Sequence, residues 1–264
     1  MQVGNMDINK AKDIIVEFIR DKTEESGASG AVIGISGGID SALTAYLSVE
    51  ALGKENVLGI HMPELNITPA EDVLDATEVA ERLGIELKTA DVSGPFAAFM
   101  ESMPVSHDSL YHANGNLKAR IRMSMLYYYA NMMNRFVMGT GNKTEILLGY
   151  FTKYGDGGVD LEPIGELYKT EVKEMSEILG VPDGIIKKAP SARLWPDQTD
   201  EGELGITYAK VDRFLALLLE GETAQVAQNT LGLSPEQRES VISRINANIH
   251  KQKTPPVPDM NMLR

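Results

Sequence analysis

Ser36-Gly37-Gly38-Ile39-Asp40-Ser41 is the stretch whose residue types point most directly to chemistry. Gly37 and Gly38 carry no Cβ, so backbone N–H groups can close on a chain of phosphates at short range. A helical pattern resumes at about Asp40, and its open N–H groups and positive dipole end would face the same place. Ser36 and Ser41 add hydroxyl donors. A carboxylate at Asp40 repels phosphate, and its presence implies an intervening Mg²⁺. Two better-known phosphate loops are missing. The turn has no lysine for a Walker A loop, and neither it nor Gly139-Thr140-Gly141-Asn142-Lys143-Thr144 supplies G-x-G-x-x-G.

The elements that must hold this turn are legible from hydrophobic period. Residues 7–22, with Asp7 as N-cap, repeat apolar positions at helical spacing. Ala31-Val32-Ile33-Gly34-Ile35 is a continuous apolar run, the mark of a parallel strand buried on both faces, and it feeds straight into the Ser-Gly-Gly turn. The unit recurs: helix from Asp40 to Leu52, strand 57–62, helix 69–83, strand 85–90, helix 114–134, strand 136–139 and a short helix over 142–149. Such alternation predicts an α/β fold, a Rossmann-like doubly wound parallel sheet. Residues 149–163 have no apolar period and carry Gly155, Gly157 and Gly158, which suggests either a mobile loop near the site or an untidy connection. Residues 166–179 read as helix, 183–206 as irregular, and about 207–250 as purely helical, followed by a tail over 251–264. One domain covering 1–264 is expected.

The chain has 264 residues, no cysteine and a formal charge of −13. The missing cysteine removes disulfides, thiolate metal sites and cysteine nucleophiles. The negative charge argues against nucleic acid and anionic membrane as partners. No apolar run approaches the ~20 residues of a membrane span, and no secretory signal is visible, so a cytoplasmic protein is expected.

The turn resembles the PP-loop of ATP pyrophosphatases (adenine nucleotide α-hydrolase-like proteins), which cleave ATP between the α and β phosphates. Within that group the chain resembles the ammonia-dependent NAD⁺ synthetases. The resemblance is carried by GISGGIDSA (Gly34 to Ala42), NLKARIRMSMLYYYAN (Asn116 to Asn131), GTGNKTEILLGYFTKYGDGGVDLEPI (Gly139 to Ile164), LYKTEV (Leu167 to Val172), PSARLWPDQTDEGELGITY (Pro190 to Tyr208) and His250-Lys251. It implies amidation of deamido-NAD⁺ by ammonia through an adenylate. It further implies ATP contacts from Gly34, Ile35, Ser36, Gly37, Gly38, Ile39, Asp40, Ser41, Thr140, Lys169 and Ser191. Asp40 and Glu145 would hold Mg²⁺. Arg120, Lys153, Asp160, His250 and Lys251 would bind deamido-NAD⁺, and the protein would be a homodimer.

Each assignment has a bland counterpart. Asn142 and Glu145 have capping-box spacing, Arg120 could snorkel from a core edge, and His250 could serve a helix end. Ile121, Met125, Tyr128 and Met132 repeat as a packing stripe, although so long and apolar a helix could also be buried against another subunit. Asp156 and Asp160 are candidates to collect ammonium and take its proton. With no cysteine and no spare length for an amidase domain, the chain is expected to use ammonia itself. The alternatives are another adenylating PP-loop amidotransferase and an ATP-binding sensor without turnover. A sensor needs Gly37 and Gly38 but not Glu145, Arg120 and Lys153 together.

Overall fold

The computed structural model describes residues 6–104, 110–191 and 199–260. Helix α1 (Ile8–Ser26) starts where the Asp7 carboxylate accepts the Lys10 N–H at 3.2 Å, as expected of an N-cap. It leads to β1 (Ala31–Gly34), α2 (Ile39–Leu52), β2 (Val57–His61), α3 (Ala70–Leu83), β3 (Glu86–Thr89), α4 (Ser93–Ser102), α5 (Tyr111–Met133) and β4 (Phe136–Met138). The strands pair in the order β3-β2-β1-β4, every pair parallel, with Ala31 opposite both Val57 and Phe136. The chain steps outward from β1 to β2 and β3, then returns to the other side of β1. The gap between the β1 and β4 ends is therefore the switch point of a doubly wound sheet.

Alternate strand residues serve opposite layers, as a sheet covered on both faces requires. Ala31, Ile33 and Val57 pack with α1, α2, α3 and the later α7. Val32, Leu58, Ile60 and Val137 pack with Ala130 and Leu126 of α5. Beyond β4 come α6 (Lys143–Leu148), α7 (Lys169–Leu179), α8 (Asp183–Lys187), α9 (Asp200–Leu204), α10 (Tyr208–Leu219), α11 (Ala224–Leu231) and α12 (Pro235–Asn248). The last three build a separate apolar cluster with Phe214, Leu215 and Val241, onto which Leu148 and Tyr168 pack.

Several boundaries differ from the sequence reading. Helix α7 begins at Lys169, where the Glu171 carboxylate turns back to accept the Tyr168 N–H at 2.8 Å. Residues 183–206 hold two short helices, α8 and α9, while 192–198 lie outside the described residues. Helix α4 went unanticipated; Gly94 and Pro95 obscure its period. The stripe on α5 is only partly core: Ile121 is buried, but Tyr128 and Met132 are 67 % and 60 % exposed. The helix meets the sheet through Leu126 and Ala130, on another side.

One buried carboxylate fastens the C-terminal helices to the α/β body. Asp212 of α10, fully buried, accepts the Thr144 hydroxyl at 2.5 Å and the Thr170 N–H at 2.9 Å. Thr144 Oγ1 in turn accepts the Lys169 N–H at 3.0 Å, so this joint sets the start of α7. Replacing Asp212 by Ala strands these donors, and a loss of about 2–4 kcal/mol is expected in urea unfolding.

Candidate active site

The Ser-Gly-Gly turn is knotted by its own side chains. Ser41 Oγ accepts the Ser36 N–H at 3.2 Å and donates to the Gly38 carbonyl at 3.0 Å, and Ser36 Oγ accepts the Gly38 N–H at 3.2 Å. The hydroxyls expected to reach a ligand thus first shape the turn. Gly37 has φ +84°, and a Cβ there would lie 2.4 Å from the Asp72 carbonyl oxygen. Glycine is required here both for backbone angle and for the close approach of α3. Helix α2 begins at Ile39 with no side-chain cap, and Gly34 through Ser41 line a cavity of about 530 Å³. An uncapped helix N-terminus on a cavity is an anion site by construction.

Across the switch point stands the β4 turn. Asn142 caps α6 through the Glu145 N–H at 3.0 Å, and Glu145 returns to the Asn142 N–H at 3.3 Å, so the capping box is real. Glu145 is also a site residue. Its other oxygen accepts the Lys169 ammonium at 3.3 Å, and the same ammonium is bonded to Asp40. Asn142 Nδ2 donates to the second Asp40 oxygen at 2.9 Å and holds the two turns together. Burial raises Glu145 most, Lys169 pulls it back and Asp40 adds to the rise, leaving it at about 8. Burial works against the Lys169 charge, but Asp40 and Glu145 outweigh it and hold Lys169 above the ordinary lysine value.

Asp40 and Glu145 fit a divalent cation as a pair converging on one positive charge. Among the described residues no group of three or more His, Cys, Asp or Glu converges as a cage. Two carboxylates leave the remaining positions to water and phosphate oxygens, the usual arrangement for Mg²⁺.

Thr140 and Ser191 line the same cavity, with Lys169. Of the residues expected to bind the second substrate, Lys251 lines it too, its ammonium donating to the Gly149 and Phe151 carbonyls at 2.7 Å each. Arg120, Lys153, Asp160 and His250 do not line the cavity. Arg120 donates to the Lys153 carbonyl at 3.3 Å, and Lys153 Nζ to the His250 carbonyl at 2.8 Å, so these residues form one cluster outside it. Asp160 accepts the Tyr127 hydroxyl at 3.0 Å and the Val137 N–H at 2.8 Å, and both its oxygens are engaged. Asp156 lines the cavity. Crowding by the protein raises its carboxyl above the usual range, although the cavity leaves it open to water and moderates that rise.

In the 149–163 segment the glycines stand where neighbouring side chains approach closely. A Cβ on Gly155 would meet Ala119 and Thr152 at 2.9 Å or less, and one on Gly157 would meet Phe151 at 2.4 Å. Asp156 accepts the Thr152 N–H at 2.9 Å, and Thr152 donates its hydroxyl to Asn116 at 2.7 Å. These glycines permit close packing onto α5.

Sequence reasoning missed several residues. Lys188 donates to the Gly37 carbonyl at 3.2 Å and to Asp72 at 2.8 Å, and is paired with Asp75 as well, bracing the turn from below. Asp200 is buried and accepts the Tyr208 hydroxyl at 2.9 Å beneath Lys169. Glu162 accepts the Gly141 N–H at 3.1 Å and fills the space that a Gly139 side chain would take. Arg122 lines the cavity from α5, where the helical spacing of His112, Asn116, Ala119 and Leu126 could have revealed it.

The sequence model of the NAD synthase family matches residues 12–255. The chain belongs to the NAD synthase family. It is 60 % identical over 255 residues to the ammonia-dependent NAD(+) synthetase of Methanosarcina acetivorans, covering 97 % of this chain and all of that one. Among solved structures, the NMN synthetase of Francisella tularensis is 36 % identical, covers 97 % of this chain and all of that one, and superposes with a TM-score of 0.86. The ammonia-dependent NAD synthetase of Campylobacter jejuni is 34 % identical, covers 96 % and 100 %, and has a TM-score of 0.80. These two structures share the fold over nearly the whole of this chain.

Two measurements test the site of this NAD synthase family member. Gly37→Ala should weaken ATP binding by more than about ten-fold in calorimetry, since the methyl must displace backbone. Burial raises Glu162 to about 8 from 4.5, with Asp156 adding to the rise, so its contribution to stability is full below 4.5 and drains as pH passes 8. Glu162→Gln keeps an acceptor for Gly141 but does not titrate. Between pH 5 and 9 the stability difference should move toward the variant by roughly 1–3 kcal/mol in urea midpoints; a flat difference would exclude a buried neutral carboxyl there.

Proposed function

We propose that this family member is a ligase that amidates the nicotinate carboxylate of deamido-NAD⁺ with ammonia, consuming ATP and releasing AMP and pyrophosphate. The observation that carries this reading is the convergence of Asp40, Glu145 and Lys169 beside the uncapped start of α2. A fold that only stored ATP would have no need of a second carboxylate and a buried lysine there.

The residues suggest the following roles. Gly37, Gly38 and the first N–H groups of α2 receive the phosphates, with Thr140 and Ser191 positioning the rest of the nucleotide. Asp40 and Glu145 hold Mg²⁺, which when bound offsets phosphate charge. A nicotinate oxygen attacks the α-phosphorus, the bond to the β-phosphate oxygen breaks, and pyrophosphate leaves with the electron pair. Lys169, already charged and pointed at this place, stabilises the negative charge that builds on the leaving group. The acyl adenylate exchanges an oxide leaving group for AMP. Ammonia then attacks the carbonyl carbon, AMP departs, and the surplus proton goes to a base. Asp156, on the cavity wall, is better placed to accept it than Asp160, whose oxygens are both occupied. Catalysis comes from positioning and preorganised charge rather than from a covalent enzyme intermediate.

The cluster of Arg120, Lys153 and His250 outside the cavity supports a substrate that reaches over the cavity rim. Tyr128 and Met132, exposed on the same helix as Arg120, support a second copy of the chain on that face, and we read the protein as a homodimer. No helix among the described residues is long and apolar enough to cross a membrane.

A second reading takes the mononucleotide acid as substrate, because the Francisella structure with its TM-score of 0.86 is an NMN synthetase. Purified chain with ATP, Mg²⁺, ammonium and each acid in turn decides the matter by AMP and amide yield. The dinucleotide acid is expected to react with the higher kcat/KM, and ADP in place of AMP would overturn the cleavage position. Lys169→Met should lower kcat by about 10²–10³.

A further inference from the structure

We propose that Arg122 is the receptor for the carboxylate of the acid substrate and the group by which the site tells acid from amide, an inference that rests on the amidation reading above. Arg122 projects from α5 into the cavity wall, half-buried. Its Nε donates to the Met62 carbonyl at 3.0 Å, at the C-terminal end of β2. That bond orients the guanidinium, whose terminal nitrogens have no acceptor among the described residues.

The other cations that line the cavity among the described residues are committed. Lys169 is paired with Asp40 and Glu145, Lys188 with Asp72 and Asp75, and Arg244 with Glu203. Lys251 is bound to two carbonyls. Arg122 makes no ion pair, and burial lowers its affinity for its proton, with Glu64 and Asp156 only partly restoring it from a distance. An enclosed cation without a partner costs stability, so its presence calls for an anion that arrives with the ligand. The fork of a guanidinium matches a planar carboxylate with two parallel hydrogen bonds.

The phosphates of ATP are provided for by the glycine turn, the α2 N-terminus and Lys169. Arg122 lies on the α5 wall instead, near the 150–158 segment, where Ala119 and Met123 of the same helix touch Gly155 and Gly158. The remaining anion of the reaction is the carboxylate that must be activated. Holding one carboxylate oxygen leaves the other to attack phosphorus. The held oxygen becomes the carbonyl of the adenylate, still facing a cation that polarises it toward ammonia. The amide product carries no charge, so the contact that recruited the acid weakens as product forms.

Calorimetric binding of deamido-NAD⁺ and NAD⁺ to wild type, Arg122→Met and Arg122→Lys tests this. Wild type should prefer the acid. Arg122→Met should weaken acid binding by about 10- to 100-fold, leave NAD⁺ and ATP binding unchanged, and erase the preference; Arg122→Lys should restore part of it. Equal loss for acid and amide, or loss of ATP binding with the preference kept, would overturn the proposal. Wild type binding acid and amide equally would overturn it without recourse to any variant. A wild type that prefers the acid yet releases no AMP would sink the amidation reading while supporting the carboxylate receptor.

Discussion

The Lys169 ammonium between Asp40 and Glu145 is the interaction on which the arrangement depends. It joins three segments far apart in sequence: the turn after β1, the turn after β4 and the start of α7. Two carboxylates this close would repel each other, and burial would push one toward its neutral form, as Glu145 at about 8 indicates. The lysine keeps both in place by supplying the positive charge that a bound cation would otherwise bring. When a ligand arrives, its phosphates can take the ammonium and a metal can take the carboxylates. The site is thus preorganised as a set of exchangeable ion pairs.

Everything around this triad serves to hold it still. Asn142 ties Asp40 to the β4 turn, and Glu162 packs the same turn from outside. Asp212 sets the first turn of α7 through Thr144 and Thr170, and Tyr208 lies under the Lys169 charge with Asp200 receiving its hydroxyl. The C-terminal helices supply Asp212, Tyr208 and Arg244. Their apolar cluster is therefore more than an appendage: without it Lys169 would have no fixed origin.

How far this was legible in the sequence follows from the range of the forces involved. Gly37 and Gly38 between a buried strand and a helix are local signals, and so are the alternating elements; both survive in the structure with end shifts of up to four residues. Asp40 was legible from its own turn, but Lys169 and Glu145 were assigned through resemblance, since nothing in local spacing brings residues 40, 145 and 169 together. Buried polar partners such as Asp212, Asp200 and Lys188 were missed because an isolated Asp or Lys in sequence reads as a solvated surface residue. Tyr128 and Met132 erred in the other direction, as period alone does not say which apolar stripe of a long helix faces the sheet.

The glycines of residues 149–163 carry the same lesson into function. In sequence, three glycines in an aperiodic stretch suggest freedom; in the fold, Gly155 and Gly157 are where side chains would collide with Ala119, Thr152 and Phe151. The consequence is that this segment is pressed onto α5, bringing Asp156 to the cavity wall while Asp160 stitches its far end to β4. Arg122 on the same helix then shares a wall with Asp156. A guanidinium on the helix and a carboxylate on the segment packed against it thus face one cavity, and the packing that the glycines permit fixes their relative position without any large motion.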